Sequence, residues 1–205
     1  MATNIAVKRA RKAQRRKQVV AQKRRAEVLE ASLPARVLRA AHAPLQHCFL
    51  TKSVFDIGMG TLVLARGATP HHIALSSFLI DVFCLGIKDV MFESLESEVF
   101  AMYMDATDAG SPMVSVDPGY ARKLLRDLAA WSQSIGFAPH RDFAVVERMF
   151  GDVSADASDA IFRFGRDGKP LYIPGPNDTA PLIRRRIAQL QKYLGEDGFG
   201  IETAA

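Results

Sequence analysis

Apolar side chains are spaced differently in the first and second halves of the chain. Between residues 45 and 90 they occur in short runs rich in Val, Ile, Leu and Phe, which is typical of strands. Residues 45–54 and 61–66 predict two strands, and a turn-forming stretch with Asp and Gly separates them. Residues 73–90 predict a third, longer strand region. Its segment 78–87 is apolar at nearly every position, which predicts a central strand buried on both faces.

The pattern becomes helical after residue 91. Residues 92–105 predict one helix, and residues 139–150 predict a shorter one. Between them, Asp117 is placed to cap a helix N-terminus, with Pro118 in the first turn, and Gly136 is placed to end that helix. The apolar residues that recur on one face of this helix are Ala121, Leu124, Leu125, Leu128 and Ile135.

The C-terminal part predicts a hairpin and one more helix. Residues 161–165 and 171–173 lie on either side of an Asp-Gly turn, which favours a β-hairpin. The last helix begins after Asp178 or Thr179 and ends at Gly195. The whole pattern predicts one α+β domain. Its mainly antiparallel sheet combines an N-terminal meander with the later hairpin, helices cover the sheet, and a long basic N-terminal helix or arm precedes it.

Charge separates this N-terminal segment from the rest of the chain. Residues 1–30 contain ten Lys or Arg and two Glu, a net charge of +8, whereas the remaining 175 residues contain 17 basic and 20 acidic side chains, a net charge of −3. Residues 4–31 lack Gly and Pro and favour a helix about 40 Å long. We therefore divide the chain into a basic arm at 1–31, a hinge at 32–44 and a single domain at 45–205.

The whole chain has 205 residues, 48% of them hydrophobic, and a formal charge of +5. These values exclude wholesale disorder, and the charge indicates a polyanionic partner. Because the arm lacks aromatic residues, we expect it to contact the phosphate backbone of nucleic acid. We favour RNA over DNA, since long basic extensions suit penetration between packed RNA helices. The predicted phosphate-binding residues are Lys8, Arg9, Arg11, Lys12, Arg15, Arg16, Lys17, Lys23, Arg24 and Arg25.

A second basic cluster lies on the last predicted helix, at Arg184, Arg185 and Arg186, with Lys192 further along. Three successive helical residues fan out over about 200° of the circumference and cannot all meet one groove. We interpret this cluster as an exposed helix face.

Four residues are the candidates for catalysis: Asp81, Asp89, His140 and Asp142. A carboxylate within an apolar strand, as at Asp81, needs a partner, a proton or a cavity, and we favour a structural hydrogen-bond acceptor there. An unbroken strand would place Asp89 about 26 Å from it, so a shared metal centre requires a sharp bend at Gly86. Helix capping is the simplest interpretation of His140 and Asp142.

No motif predicts a cofactor or a metal. Cys48 and Cys84 are too few for a disulfide framework and lack zinc-ligand spacing, and no Walker A loop or dinucleotide fingerprint is present. These cysteines indicate a cytoplasmic protein, although the acid-poor N-terminus could also be an organellar transit segment. The apolar run at 73–87 is interrupted by Ser and Asp and is too short to span a bilayer, so no membrane partner is predicted.

The sequence therefore predicts a non-enzymatic RNA-binding accessory protein of a larger nucleoprotein assembly, such as the ribosome, anchored by its arm and in contact with other protein subunits. One alternative is a metal-dependent nuclease or other phosphoester hydrolase that uses Asp81 with other acidic residues. Another is a protein-only adaptor whose arm binds an acidic partner.

Overall fold

The computed structural model describes residues 28–69 and 71–202, together with Lys17, Val20 and Arg24. The other predicted phosphate-binding residues of the arm lie outside the described residues. Lys17, Val20, Arg24 and residues 28–30 are helical, and all of them are exposed.

Five antiparallel strands form the central sheet, in the order β4-β3-β2-β1-β5. The first four strands follow one another as the predicted meander, and the fifth pairs with the free edge of β1. The α+β class and the antiparallel sheet are therefore confirmed. The strands are β1 (Leu45–Thr51), β2 (Met59–Thr69), β3 (His72–Asp81), β4 (Gly86–Glu96) and β5 (Met113–Ser115).

Helices lie on both faces of this sheet. The helix α3 packs on one face, and the helices α1, α4 and α5 pack on the other. The helices are α1 (Leu33–Ala41), α2 (Val54–Ile57), α3 (Ser97–Gly110), α4 (Pro118–Ser134), α5 (Phe143–Val146) and α6 (Ala180–Leu194). Short 3-10 turns follow α5 at Glu147–Phe150 and Ala155–Ala157.

Burial on both faces explains the continuous apolar runs of the strands. Along β2, Leu62 and Leu64 belong to the core under α4, whereas Val63 and Ala65 belong to the core under α3. All four side chains are fully buried. Successive strand residues point to opposite faces, so a sheet covered on both sides needs apolar residues at both parities.

The helix α4 is the most accurate of the predicted helices. The Asp117 side chain accepts a hydrogen bond from the Tyr120 main-chain N–H at 3.0 Å and caps the helix. Gly136 follows the helix end with φ of +97°, a conformation that favours glycine. The predicted apolar face lies on the core: Ala121, Leu124, Leu125, Leu128 and Ile135 are all buried.

The third strand region at residues 73–90 is two strands and not one. The chain reverses after Asp81, in a buried turn at residues 82–85 that we call the β3–β4 turn, and Asp81 pairs with Gly86 across it. Pairing with β3 continues to Glu96, so the helix predicted at 92–105 begins five residues late, at Ser97. The mixture of acidic and apolar residues at 92–96 resembles the pattern of a helix. These residues are extended because they pair with the ten-residue strand β3.

The predicted hairpin at 161–165 and 171–173 is wrong apart from its turn, where Arg166 and Lys169 form an isolated bridge. Its two arms pair elsewhere. The Gly165 N–H donates to the Val82 carbonyl, and the Leu171 N–H donates to the Phe83 carbonyl, both in the β3–β4 turn. The strands β6 (Leu171–Tyr172) and β7 (Gly200–Ile201) form a separate two-stranded parallel sheet.

Most of the predicted hinge at 32–44 is occupied by α1, whose Val37 is fully buried against the core. The last helix, α6, follows Thr179 and ends before Gly195 as predicted. Among the described residues, no helix combines the length and apolar character needed to cross a membrane.

Candidate functional site

A groove lies next to the end of the predicted arm, between α1 and the sheet, with a volume of about 400 Å³. Arg36 lies in this α1 groove with its guanidinium 5.2 Å from the centre of the Phe92 ring, and it lies 3.8 Å from the Glu93 carboxylate. Arg39 donates to the Glu30 carbonyl at 2.8 Å. The groove therefore continues the basic character of the arm onto the folded domain.

Arg66, which also lines the α1 groove, is a structural residue. Its guanidinium donates to the carbonyls of Ala43, Met149 and Phe150, each at 2.6 Å. Burial lowers the pKa of this guanidinium, and the charge of Asp152 opposes that effect. Because all three contacts are to main-chain oxygens, Arg66 joins β2 to the end of α1 and to the 3-10 turn after α5.

A second concavity, which we call the cation-lined cavity, lies between the start of β4, residues 136–140 and α6. Its volume is about 430 Å³. Its basic lining consists of Lys88, His140, Arg185 and Arg186, and its apolar lining includes Leu85, Ile87, Phe137 and Leu182. Of the three arginines in the predicted basic cluster, Arg184 is exposed and does not line the cavity.

Arg186 is neutralised within the protein. Its Nη1 donates to the Asp178 carboxylate and lies 3.2 Å from the Tyr172 hydroxyl. Burial opposes ionisation of Asp178, but a hydrogen bond from the Gly175 N–H, the Tyr172 hydroxyl and the charges of Arg186 and Lys88 hold the pKa of Asp178 below its ordinary value. The pair therefore fixes the start of α6 to β6.

Asp81 is buried, and its carboxylate stabilises the β3–β4 turn. Its Oδ1 accepts hydrogen bonds from the main-chain N–H groups of Phe83 at 3.0 Å and Cys84 at 2.9 Å. Burial raises the pKa of Asp81, against these main-chain hydrogen bonds and the nearby charge of Lys88. These two hydrogen bonds explain why a carboxylate occurs within an apolar run: Asp81 is a structural hydrogen-bond acceptor.

The other three catalytic candidates lie close to one another, and of the three only His140 lines the cation-lined cavity. His140 Nε2 is 3.7 Å from Asp89 Oδ1, and His140 Nδ1 is 4.0 Å from Asp142 Oδ2. The Asp142 N–H donates to His140 Nδ1 at 3.3 Å, and the Nε2 atom faces Asp89. Asp81 does not belong to this group.

Neither the acidic residues nor the cysteines form a metal site in the described part of the chain, where no group of three or more His, Cys, Asp or Glu side chains could hold a metal ion. Burial, with the charge of Asp117, raises the pKa of the Cys48 thiol to about 12. Burial also raises the pKa of Cys84, with the charge of Asp81 adding to the effect. Neither thiol is therefore an activated nucleophile.

Comparisons with family models, with curated proteins and with solved structures found no match to this chain. Sequence reasoning identified Arg185 only as part of a basic cluster and did not assign a role to Lys88. The juxtaposition of these two cations depends on how residues 136–140 and α6 pack on β4, and local patterns carry no signal for it.

Proposed function

We propose that this protein is a non-enzymatic RNA-binding accessory protein that is anchored in a larger nucleoprotein assembly by its basic arm. The observation that carries the proposal is the separation of charge, with +8 in residues 1–30 and −3 in the other 175. Cations of this density neutralise backbone phosphates and release condensed counterions. The domain, with its opposite net charge, would contact protein neighbours.

The α1 groove supports the same proposal. It adjoins the arm, and Arg36 and Arg39 lie in it at partly or fully exposed positions. The Phe92 ring beside Arg36 offers an aromatic surface for contact with RNA. The arm has no aromatic residue and cannot offer such a contact. A strand of RNA held by the arm can therefore continue along the groove with its phosphates against the two arginines.

The test is a salt titration of RNA binding with three proteins: the full chain, the chain without residues 1–30, and a full-length variant with the ten arm cations replaced by Gln. If six to eight cations meet phosphates, log affinity falls against log salt with a slope of about −5 to −7. Both altered proteins should lose most of that slope. The control is Lys52→Gln, an exposed cation on the domain, which should keep it. Unchanged affinity and slope in the Gln variant would refute the proposal.

Phosphoester hydrolysis is the second candidate function, and His140 between Asp89 and Asp142 is the observation that favours it. Purified protein is incubated with RNA and with DNA in Mg²⁺ or Mn²⁺. Our proposal expects no cleavage. Divalent-dependent cleavage that His140→Ala abolishes, and that Asp81→Asn leaves intact, would replace the accessory role with a hydrolase centred on His140.

A further inference from the structure

The cation-lined cavity contains cations that have no ion-pair partner among the described residues. Among them, neither Lys88 nor Arg185 forms an ion pair, whereas Arg186 beside them is paired with Asp178. Within the described part of the chain, the Lys88 ammonium donates one hydrogen bond, to the Met59 sulfur at 3.9 Å, which is a weak acceptor. Lys88 is only partly exposed. Lys88 lies near enough to Asp81 and Asp178 to affect their pKa values, but it forms an ion pair with neither carboxylate. Its ammonium is therefore still able to bind an anion supplied from outside.

The walls of this cavity are held in place before any ligand arrives. The Gln189 side chain on α6 donates to the Gly136 carbonyl at 2.8 Å, and the His140 main-chain N–H donates to the Ile87 carbonyl of β4 at 2.9 Å. The ion pair of Arg186 fixes the N-terminal part of α6. Because all three walls are joined in this way, little ordering is needed on binding.

The size and lining of the cavity indicate more than a bare anion. Its volume of about 430 Å³ lies within the range of small-molecule sites, roughly 300–1,000 Å³. Phe137 and Leu182 provide partly exposed apolar surface in the same cavity as Lys88 and Arg185. A ligand that suits both features has a compact, strongly anionic group joined to a flat or apolar body.

We propose that the cation-lined cavity binds a phosphomonoester of nucleotide type, with its phosphate between Lys88 and Arg185 and its organic part against Phe137 and Leu182. A phosphate dianion matches two cations, and the planar guanidinium of Arg185 can donate two parallel hydrogen bonds to it. The same chemistry occurs in a free nucleoside 5′-monophosphate and at the 5′-phosphorylated end of an RNA. The proposal concerns a site separate from the arm and holds whether or not the arm binds RNA.

The first experiment compares two neighbouring arginines in the full-length protein. Calorimetric titration in 0.3 M salt uses four probes: the nucleoside 5′-monophosphates one at a time, the matching uncharged nucleosides, inorganic phosphate, and sulfate. A monophosphate should bind more tightly than inorganic phosphate, and the nucleosides should bind at least ten times more weakly. Arg185→Gln should weaken the monophosphate at least tenfold. Arg184→Gln, which removes an equal charge outside the cavity, should change it less than twofold.

The absence of binding by any monophosphate would overturn the proposal, and so would equal losses in the two arginine variants. Equal losses would mean that binding follows net charge alone. Lys88→Gln adds a second test, with circular dichroism to verify folding, and should weaken the monophosphate at least tenfold without affecting the arm's salt slope. If that variant does not fold, the two arginine variants still decide the question, since both residues are exposed.

The source of the phosphomonoester is decided with short RNAs of one sequence, carrying either a 5′-phosphate or a 5′-hydroxyl. A preference of fivefold or more for the phosphorylated RNA, lost in Arg185→Gln and kept in Arg184→Gln, assigns the site to an RNA end. Equal binding of the two RNAs, with monophosphate binding that depends on Arg185, assigns it to a free nucleotide. Inorganic phosphate that binds as tightly as every monophosphate contradicts the role of Phe137 and Leu182.

Discussion

Replacing Arg66 with Met should destabilise the fold by about 4 kcal/mol. The substitution keeps an apolar stem of similar length and removes the donor to three carbonyls. One of these, on Phe150, also accepts the Val153 N–H at 3.2 Å, so the effect falls chiefly on the carbonyls of Ala43 and Met149. A buried acceptor left without its partner costs about 1–3 kcal/mol; the Met149 carbonyl is buried and the Ala43 carbonyl only partly so, which gives about 2–5 kcal/mol for the two.

The assay is urea unfolding followed by the fluorescence of Trp131, the one tryptophan of the chain, which packs against the Phe164 ring at 5.3 Å. In a chain of this size, a loss of about 4 kcal/mol lowers the melting temperature by about 8–16 °C. Arg66→Lys should also be destabilised, because one ammonium cannot reproduce a fork to three oxygens. The control is Arg141→Met, whose side chain is 88% exposed and which should change stability by less than about 0.5 kcal/mol.

A stability of Arg66→Met equal to or above that of the parent would refute this reasoning. It would mean that the free-energy cost of burying the guanidinium exceeds the stabilisation from its three hydrogen bonds. In other proteins, an apolar replacement of buried charge is neutral or stabilising for this reason. If Arg66→Lys lost stability while Arg66→Met did not, the effect would instead lie in the geometry of the hydrogen bonds that the guanidinium makes to its three carbonyls.

Three further predictions concern buried groups. The Glu147 carboxylate accepts from Arg122 at 2.6 Å and Arg126 at 2.8 Å; burial opposes its ionisation, yet the two arginines lower its pKa. Glu147→Gln should therefore cost about 2–4 kcal/mol at pH 7, and urea titrations should show that gap closing below about pH 5, since the parent loses this stabilisation as the carboxylate is protonated. Gly86→Ala should unfold at least about 2 kcal/mol more easily in urea, because φ is +72° and a Cβ would overlap the Ser132 hydroxyl; equal midpoints would contradict this. The Cys48 thiol should resist iodoacetamide at pH 8 in the native protein and react in 6 M urea, measured by mass spectrometry, and rapid native labelling would contradict its burial.

The parts of the fold that could be predicted are those specified by local chemistry. The helix α4 has its cap, first-turn proline, apolar face and terminal glycine within one continuous segment, and the structure confirms each. The boundary at Ser97 could not be predicted in the same way, because residues 92–96 are held in β4 by pairing with β3. Likewise, the arms of the predicted hairpin donate hydrogen bonds to the carbonyls of Val82 and Phe83, which lie far earlier in the chain.

The candidate site likewise has features that the local sequence predicts and features that depend on tertiary packing. A lone carboxylate in an apolar run is visible in the sequence, and the hydrogen bonds of Asp81 give it the structural role that we favoured. An unbroken strand would separate Asp81 from Asp89 by about 26 Å, but the chain reverses between them in the β3–β4 turn, which ends before Gly86. Lys88 and Arg185 line one cavity because three segments that are remote in sequence pack together, so no local spacing rule could identify it.

The β3–β4 turn has a consequence for how this protein loses its structure. Its residues Val82 and Phe83 belong to the core beneath α4, while Cys84 and Leu85 belong to the core beneath α6. Four successive residues thus belong to two hydrophobic clusters. Neither cluster can unfold without displacing the main chain of the β3–β4 turn, on which the other cluster also depends. We expect the domain to melt in one cooperative step, with the fluorescence of Trp131 and the alkylation of Cys84 reporting the same transition.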